Sequence, residues 1–248
     1  MKAMIFAAGL GTRFKPWTDQ HPKALALING KTLLERNIHY LQQSGITQVL
    51  VNVHHFSDQI VDAVKTNDGW GSRITISDES DAVLETGGGL KKAGWFFTDE
   101  SFVVMNADIL TDMDLKAMIS FHQQHRPLAT LAVTNRKTSR YFLFNEADRL
   151  CGWRNNQTSE ERLAFQPSDD QNIGSGSSPL LIEKAFSGIH VISPEIFPLM
   201  HQQGKFSIVD VYLDLAGSRE ILGFDHSGTK LVDVGRPVSV TEAESLFI

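Results

Sequence analysis

Cysteine is almost missing from this chain: Cys151 is the single one in 248 residues. That excludes an intramolecular disulfide and fits a reducing cytoplasm. Positive charge is not in excess either. Lys and Arg number 23 against 29 Asp and Glu, a net charge of −6. The basic residues are dispersed along the chain, so a nucleic-acid surface is not expected. No apolar run approaches the ~20 residues needed to cross a bilayer. The first residues carry one lysine and pass straight into a strand pattern, unlike a signal peptide. With 42% hydrophobic and 21% charged residues the composition is that of an ordinary folded protein, large enough for one α/β domain.

Several familiar site signatures are also lacking. Gly9-Leu-Gly11-Thr-Arg-Phe14 has Phe14 where a dinucleotide fingerprint needs its third glycine. Gly30-Lys31-Thr32 has Leu25 where a P-loop needs its leading glycine. The histidine pairs His54-His55 and His122/His125 have neither cysteine partners nor a His-Glu-x-x-His order, so they read as solvated helix or loop ends and not as zinc ligands. No Gly-x-Ser-x-Gly elbow offers a serine nucleophile.

What is present is a strand running directly into a glycine-basic loop, Ala7-Ala-Gly9-Leu-Gly11-Thr-Arg13, followed by Pro16 and Pro22-Lys23. Glycine lets backbone N–H groups close on phosphate oxygens, and Arg13 and Lys23 add formal charge. The segment reads as a triphosphate grip. Three further clusters follow. Glu85-Thr-Gly-Gly-Gly89 puts glycines at the mouth of a helix, where free N–H groups suit the edge of a nucleobase. Phe102-Val-Val-Met-Asn106-Ala-Asp108 and Lys230-Leu-Val-Asp233-Val-Gly235 each deliver an aspartate at the end of an apolar strand. Asp108 with Asp233 suits Mg²⁺, which takes one or two carboxylates plus phosphate oxygens and water. Asp112 and Asp114 read as helix caps.

Apolar runs at 2–8, 48–53, 73–77, 102–106 and 129–134 alternate with helical patterns near 31–44, 57–66, 87–97 and 114–125. This predicts a mainly parallel sheet with helices on both faces. Beyond residue 135 the pattern changes to a hairpin over 140–153 turning at 145–149. A polar stretch over 154–179 reads as a mobile surface segment beside the site. Strands at 185–192, 220–224 and 229–234, helices near 194–202 and 207–216, and a helix from Pro237 complete the chain. The expectation is one domain over 1–248, with a nucleotide-binding half over 1–135 and a sugar-phosphate-binding half over 136–248.

These motifs resemble the sugar-1-phosphate nucleotidylyltransferases over nearly the whole chain, through Ala7–Arg13, Pro16, Pro22-Lys23, Glu85–Gly89, Asn106-Ala-Asp108, Phe186-Ser-Gly188-Ile and Val232-Asp-Val-Gly235. The Glu-Thr-Gly-Gly-Gly and Val-Asp-Val-Gly forms are most similar to the N-acetylmuramate 1-phosphate uridylyltransferases of peptidoglycan recycling. Mannose- and heptose-1-phosphate guanylyltransferases are near alternatives. The resemblance implies a three-layer, Rossmann-like α/β fold with a small sugar-binding hairpin lobe and Mg²⁺-dependent transfer of a nucleotidyl group from an NTP to a sugar 1-phosphate. It implies Arg13, Lys23 and Asp108 as catalytic residues. The nucleotide would lie on Ala8, Gly9, Gly11, Thr12, Arg13, Lys23, Glu85, Gly87, Gly88 and Asn106. The sugar would lie on Lys184, Ser187 and Gly188, and the metal on Asp108 and Asp233. Three departures are visible: Phe14-Lys15 stands where relatives usually have an aliphatic residue and an arginine, Ala107 replaces the glycine usual before the metal aspartate, and Glu183-Lys184 lacks the proline that follows this pair in many relatives. A regulatory module that binds sugar nucleotides without turnover is the alternative of a different class, and the presence of all four charged site residues disfavours it. Nothing demands an oligomer, so a monomer or weak homo-oligomer is expected.

Overall fold

The computed structural model describes residues 1–164 and 180–248. In chain order the strands and helices are β1 (Ala3–Phe6), β2 (Leu27–Ile28), β3 (Lys31–Thr32), α1 (Leu33–Gln43), β4 (Gln48–Val53), α2 (Ser57–Thr66), β5 (Arg73–Asp78), α3 (Glu85–Lys92), β6 (Phe102–Asn106) and β7 (Ile109–Thr111), then α4 (Leu115–His125), β8 (Ala129–Thr134), β9 (Arg140–Phe144), β10 (Leu150–Asn155), β11 (Glu160–Leu163), β12 (Ile182–Ile192), α5 (Ile208–Ala216), β13 (Ile221–Asp225), β14 (Leu231–Asp233) and α6 (Val238–Leu246). The expected strands and the main helices are all present.

The core is a parallel run β5-β4-β1-β6. Next to β6 lies β12, antiparallel both to it and to β8, and β13 closes that side parallel to β8. Strands buried on both faces carry continuous apolar runs, which is why Ala3–Phe6 and Phe102–Asn106 show no alternation. The faces separate by the two-residue period of the pleat. Met4, Leu50 and Val104 pack with Leu90 of α3 and Val211 of α5. Ala3, Ile5, Val49 and Val51 pack with Leu34 and Ile38 of α1 and Met118 of α4. Helix α1 forms because its apolar positions recur at helical spacing and Thr32 caps it, its side chain accepting from Glu35 N at 3.0 Å.

The eleven-residue β12 is the element that joins the two halves. Its start pairs with β9, extending the antiparallel ribbon β9-β10-β11, while its end pairs with β6. The β9–β10 turn falls at residues 145–149, as expected. Three expectations change. The stretch 154–163 is not a mobile segment. It forms the end of β10 and β11, and Arg154 bridges Glu161 and Glu183. The rest of that segment, 165–179, lies outside the described residues. The helix expected over 87–97 stops at Lys92, and the one near 194–202 is a 3-10 turn over Pro194–Leu199. A third apolar cluster, with Phe14, Leu33, Leu110, Val232 and Val234, clamps the glycine-basic loop to β14. That packing accounts for an aromatic residue at position 14.

The glycines of α3 are packing residues. A Cβ at Gly88 would lie 2.3 Å from Gly204 O and 3.0 Å from Leu84 Cβ. Alanine would gain about 1 kcal/mol of helix propensity, but overpacking against backbone costs about 1–3 kcal/mol. Gly88→Ala is therefore expected to lower the midpoint of urea unfolding, and an unchanged midpoint would contradict this packing.

Two histidines are buried as neutral groups, which corrects the expectation of a solvated His122. His122 sits between Thr130 Oγ1 and Ser101 Oγ at 2.9 and 3.0 Å, and burial depresses its pKa to about 4. His190 shares a 2.7 Å hydrogen bond with the Tyr212 hydroxyl, and burial depresses it to about 3. Below about pH 6.5 the unfolded chain binds protons that these folded rings refuse, so stability is full above that pH. It falls as the pH drops toward 4, by up to about 1.4 kcal/mol per pH unit for each ring. Unfolding followed from pH 7 to pH 4.5 should show this loss, and His190→Gln should reduce its slope. An equal slope in the variant would contradict the assignment.

Candidate active site

The glycine-basic loop starts where β1 ends. Its root is fixed by Asn52 at the end of β4, whose Oδ1 accepts from Ala7 N at 2.8 Å and whose Nδ2 donates to Glu79 at 2.8 Å. Glu79 is buried, and desolvation raises its pKa. At Gly11 the backbone is left-handed, with φ 60°, and a Cβ would meet Thr18 Cγ2 at 2.8 Å and Lys23 Cβ at 3.3 Å. Gly11 O accepts from both Thr18 Oγ1 and Phe14 N, at 2.9 and 2.8 Å. Glycine is required there by conformation and by packing. Gly9 is different: the space a Cβ would fill is open, which leaves the backbone accessible to a ligand.

The two aspartates meet across sequence-distant strands. Ala107 N donates to Phe6 O at 3.1 Å, and Ala107 O accepts from Asn37 Nδ2 of α1 at 2.8 Å. Asp108 O accepts from Val234 N at 2.8 Å, and β14 runs antiparallel to β7 with Asp233 opposite Ile109. Lys23 Nζ forms an ion pair with Asp108 Oδ2. Asp233 is open to solvent at one side. Its carboxyl is nevertheless pushed up, by desolvation first and by the Asp108 carboxylate second, against the opposing pull of Lys23, Arg13 and Arg136. Gly235 makes this possible: a Cβ there would lie 2.8 Å from Asp233 Oδ1 and 3.1 Å from Arg13 Nη2. Arg13 and Asp233 thus flank one point. The Asp108 carboxylate disfavours ionisation of Asp233, and two carboxylates so placed form a donor set that suits a divalent cation.

Lys23 and Asp108 line a cavity of about 670 Å³, whereas Arg13 and Asp233 are not among its lining residues. Ala8, Gly9, Gly11, Thr12, Lys23, Glu85, Asn106 and Asp108 line it, as do Asn52, Thr86, Arg140, Lys205 and Ser207. The amides of the glycine-rich turn are engaged within the protein. Gly87 N and Gly88 N both donate to Phe206 O, at 2.9 and 3.3 Å, and neither glycine lines the cavity. Their amides are spent on packing α3 against the segment before α5, and it is Glu85 and Thr86 that face the cavity.

The expected sugar residues are also mostly occupied. Ser187 is fully buried, with Oγ 2.8 Å from His226 Nε2. Lys184 Nζ donates to Asn135 Oδ1 at 2.7 Å and pairs with Asp225. Gly188, left-handed at φ 74°, belongs to the irregularity that lets β12 pass over Asn106, where a Cβ would come within 2.7 Å of Asn106 Nδ2. Asp114 caps α4 through Ala117 N, but Asp112 Oδ1 instead accepts from Lys230 N at 2.7 Å, tying β7 to the start of β14. Asn52, Arg140 and Lys205 were missed in the sequence. Asn52 was legible only as a polar residue in an apolar strand, and the two cations carry no local signature.

Among the described residues no helix is long and apolar enough to cross a membrane. Residues 2–165 match the family model described as nucleotidyl transferase. The chain is 28% identical over 246 residues to the N-acetylmuramate alpha-1-phosphate uridylyltransferase of Neisseria meningitidis, an alignment covering 99% of this chain and 98% of that protein. It is 30% identical over 233 residues to mannose-1-phosphate guanyltransferase beta-B of Xenopus laevis, covering 90% of this chain and 63% of that one. In structure it is similar to a putative glucose-1-phosphate thymidylyltransferase from Bacillus anthracis, with TM-score 0.80 and 16% identity over 99% of this chain and 94% of that one. A glycine-basic loop on β1, paired strand-end aspartates and a match over residues 2–165 together identify the chain as a member of the nucleotidyl transferase family, a sugar-1-phosphate nucleotidylyltransferase.

Proposed function

We propose that the chain transfers a uridylyl group from UTP to N-acetylmuramate 1-phosphate, releasing pyrophosphate, in the cytoplasm and in the recycling of cell-wall sugar. The observation that carries this choice is the match over almost the entire length of both proteins to an enzyme of that name. A second such enzyme, from Caulobacter vibrioides, matches at 28% over 98% of this chain and 95% of its own. The guanylyltransferase relative has the higher identity but extends well beyond the shared region, and transfer of GMP to mannose 1-phosphate is the second reading.

The chemistry follows from charge. The acceptor's phosphate oxygen attacks the α-phosphorus in line, a new P–O bond forms, and the α–β P–O bond breaks with its electron pair leaving on pyrophosphate. A phosphate monoester with second pKa about 6 is already largely dianionic at neutral pH, so no general base is needed. The barrier lies in bringing polyanions together, and the protein supplies positioning and fixed positive charge. Amides of the loop around Gly9 and Gly11 hold the triphosphate. Lys23, which pairs with Asp108, would contact the α-phosphate. Asp108 and Asp233 fit Mg²⁺, which when bound neutralises phosphate charge. Asn106 lines the cavity, and Gly188 packs against its side chain. Asn52 and Glu79 hold the loop root.

Pyrophosphate release should be greatest with UTP and N-acetylmuramate 1-phosphate and should require Mg²⁺. Release confined to GTP with mannose 1-phosphate would move the assignment to the second reading. Lys23→Ala and Asp108→Asn should each lower kcat on the order of a hundredfold or more, the scale of a lost transition-state donor. Near-normal turnover in either variant would overturn the catalytic assignment.

A further inference from the structure

The second half of the chain lines the cavity with Arg140, Lys205 and Ser207. On this side the basic residues are mostly engaged. Lys184 is held by Asp225 and Asn135. Arg136 donates to Phe186 O at 2.9 Å. Lys205 lies 3.4 Å from Glu85. The arginines of the adjoining ribbon are paired as well, Arg154 with Glu161 and Glu183, Arg162 with Asp210.

Arg140 is the exception. It lines the cavity and is exposed, and it has no ion-pair or hydrogen-bond partner among the described residues. Its backbone is nevertheless held firmly. It is the first residue of β9, opposite Asn155 of β10. Tyr141 Oη accepts from Thr138 N at 2.9 Å, and Asn156 N donates to Ser139 O at 2.8 Å. An unpaired guanidinium on a fixed strand end, facing a cavity whose triphosphate grip lies on the other half of the chain, is suited to a planar anion. The guanidinium fork matches a carboxylate with two parallel hydrogen bonds.

We propose that Arg140 is a specificity-determining residue that pairs with the carboxylate of an acidic acceptor sugar. This rests on the reading of the acceptor as N-acetylmuramate 1-phosphate, whose lactyl ether carries that carboxylate. Arg140 takes no part in the bond changes at phosphorus. Its contribution falls on KM for the acid and not on kcat.

The test compares N-acetylmuramate 1-phosphate with its carboxamide, which keeps the shape and removes the charge, in the wild-type protein and in Arg140→Gln. The wild type should lose on the order of thirtyfold in kcat/KM on amidation, the scale of a charge-assisted hydrogen bond, with the change in KM. Arg140→Gln should treat acid and amide alike, and Arg140→Lys should restore part of the preference. If Arg140→Gln still discriminates as the wild type does, the carboxylate is read elsewhere and the proposal is overturned. It is equally overturned if the wild type does not discriminate. A wild type that turns over neither ester but accepts mannose 1-phosphate with GTP removes the acceptor reading before any substitution is made, so the two failures are told apart.

Discussion

Two carboxylates held close together by backbone, Asp108 after β6 and Asp233 at the end of β14, are the constraint around which this molecule is arranged. Burial first and the Asp108 carboxylate second disfavour ionisation of Asp233. The chain offsets this by converging cations from three places: Lys23 after the loop, Arg13 within it, and Arg136 after β8. The hydrogen bond from Val234 N to Asp108 O and the cluster of Phe14, Val232 and Val234 keep the two strand ends together. On the proposed reading, this convergence of carboxylates and cations beside the glycine-basic loop would receive a divalent cation and a polyanion, the electrostatic arrangement that the transfer reaction requires.

The halves of the chain divide this work. The parallel strands β5-β4-β1-β6 bring the loop, Asn52 and Asp108 to one edge, as open α/β sheets do at the carboxyl ends of their strands. Strand β12 then runs antiparallel across β6, and its left-handed Gly188 lets it pass beside Asn106. Through its other end it carries the ribbon that presents Arg140. The buried pair Ser187–His226 and the partly exposed pair Lys184–Asp225 hold this strand to the segment after β8 and β13, and none of the four lines the cavity.

Much of this was legible in the sequence, for local reasons. Buried parallel strands such as Phe102–Asn106 announce themselves as short apolar runs, and the loop after Phe6 carries its own glycines and cations. Asp108 and Asp233 could be picked out because each ends an apolar strand. What could not be read depended on tertiary partners. Gly87 and Gly88 look like a base-binding turn until Phe206 O and Gly204 O are placed against them. Ser187 and Lys184 lie beside the motif glycine in sequence, but the alternation of β12 and the neighbouring His226 and Asp225 claim them. Residues 160–162 are polar because β11 is an edge strand with charges that pair across to β10 and α5. Arg140 has no motif at all, and only the cavity distinguishes it from other surface arginines.

The central claim, that Asp108 and Asp233 act together on one divalent cation bound with the nucleotide, is tested most directly by calorimetric titration of UTP with and without Mg²⁺. The wild type and the Asp108→Asn and Asp233→Asn variants would be compared. The account predicts that Mg²⁺ strengthens UTP binding in the wild type and that either single variant abolishes most of that gain. Retention of the full gain in Asp233→Asn would show that β14 does not share the metal and would contradict the account.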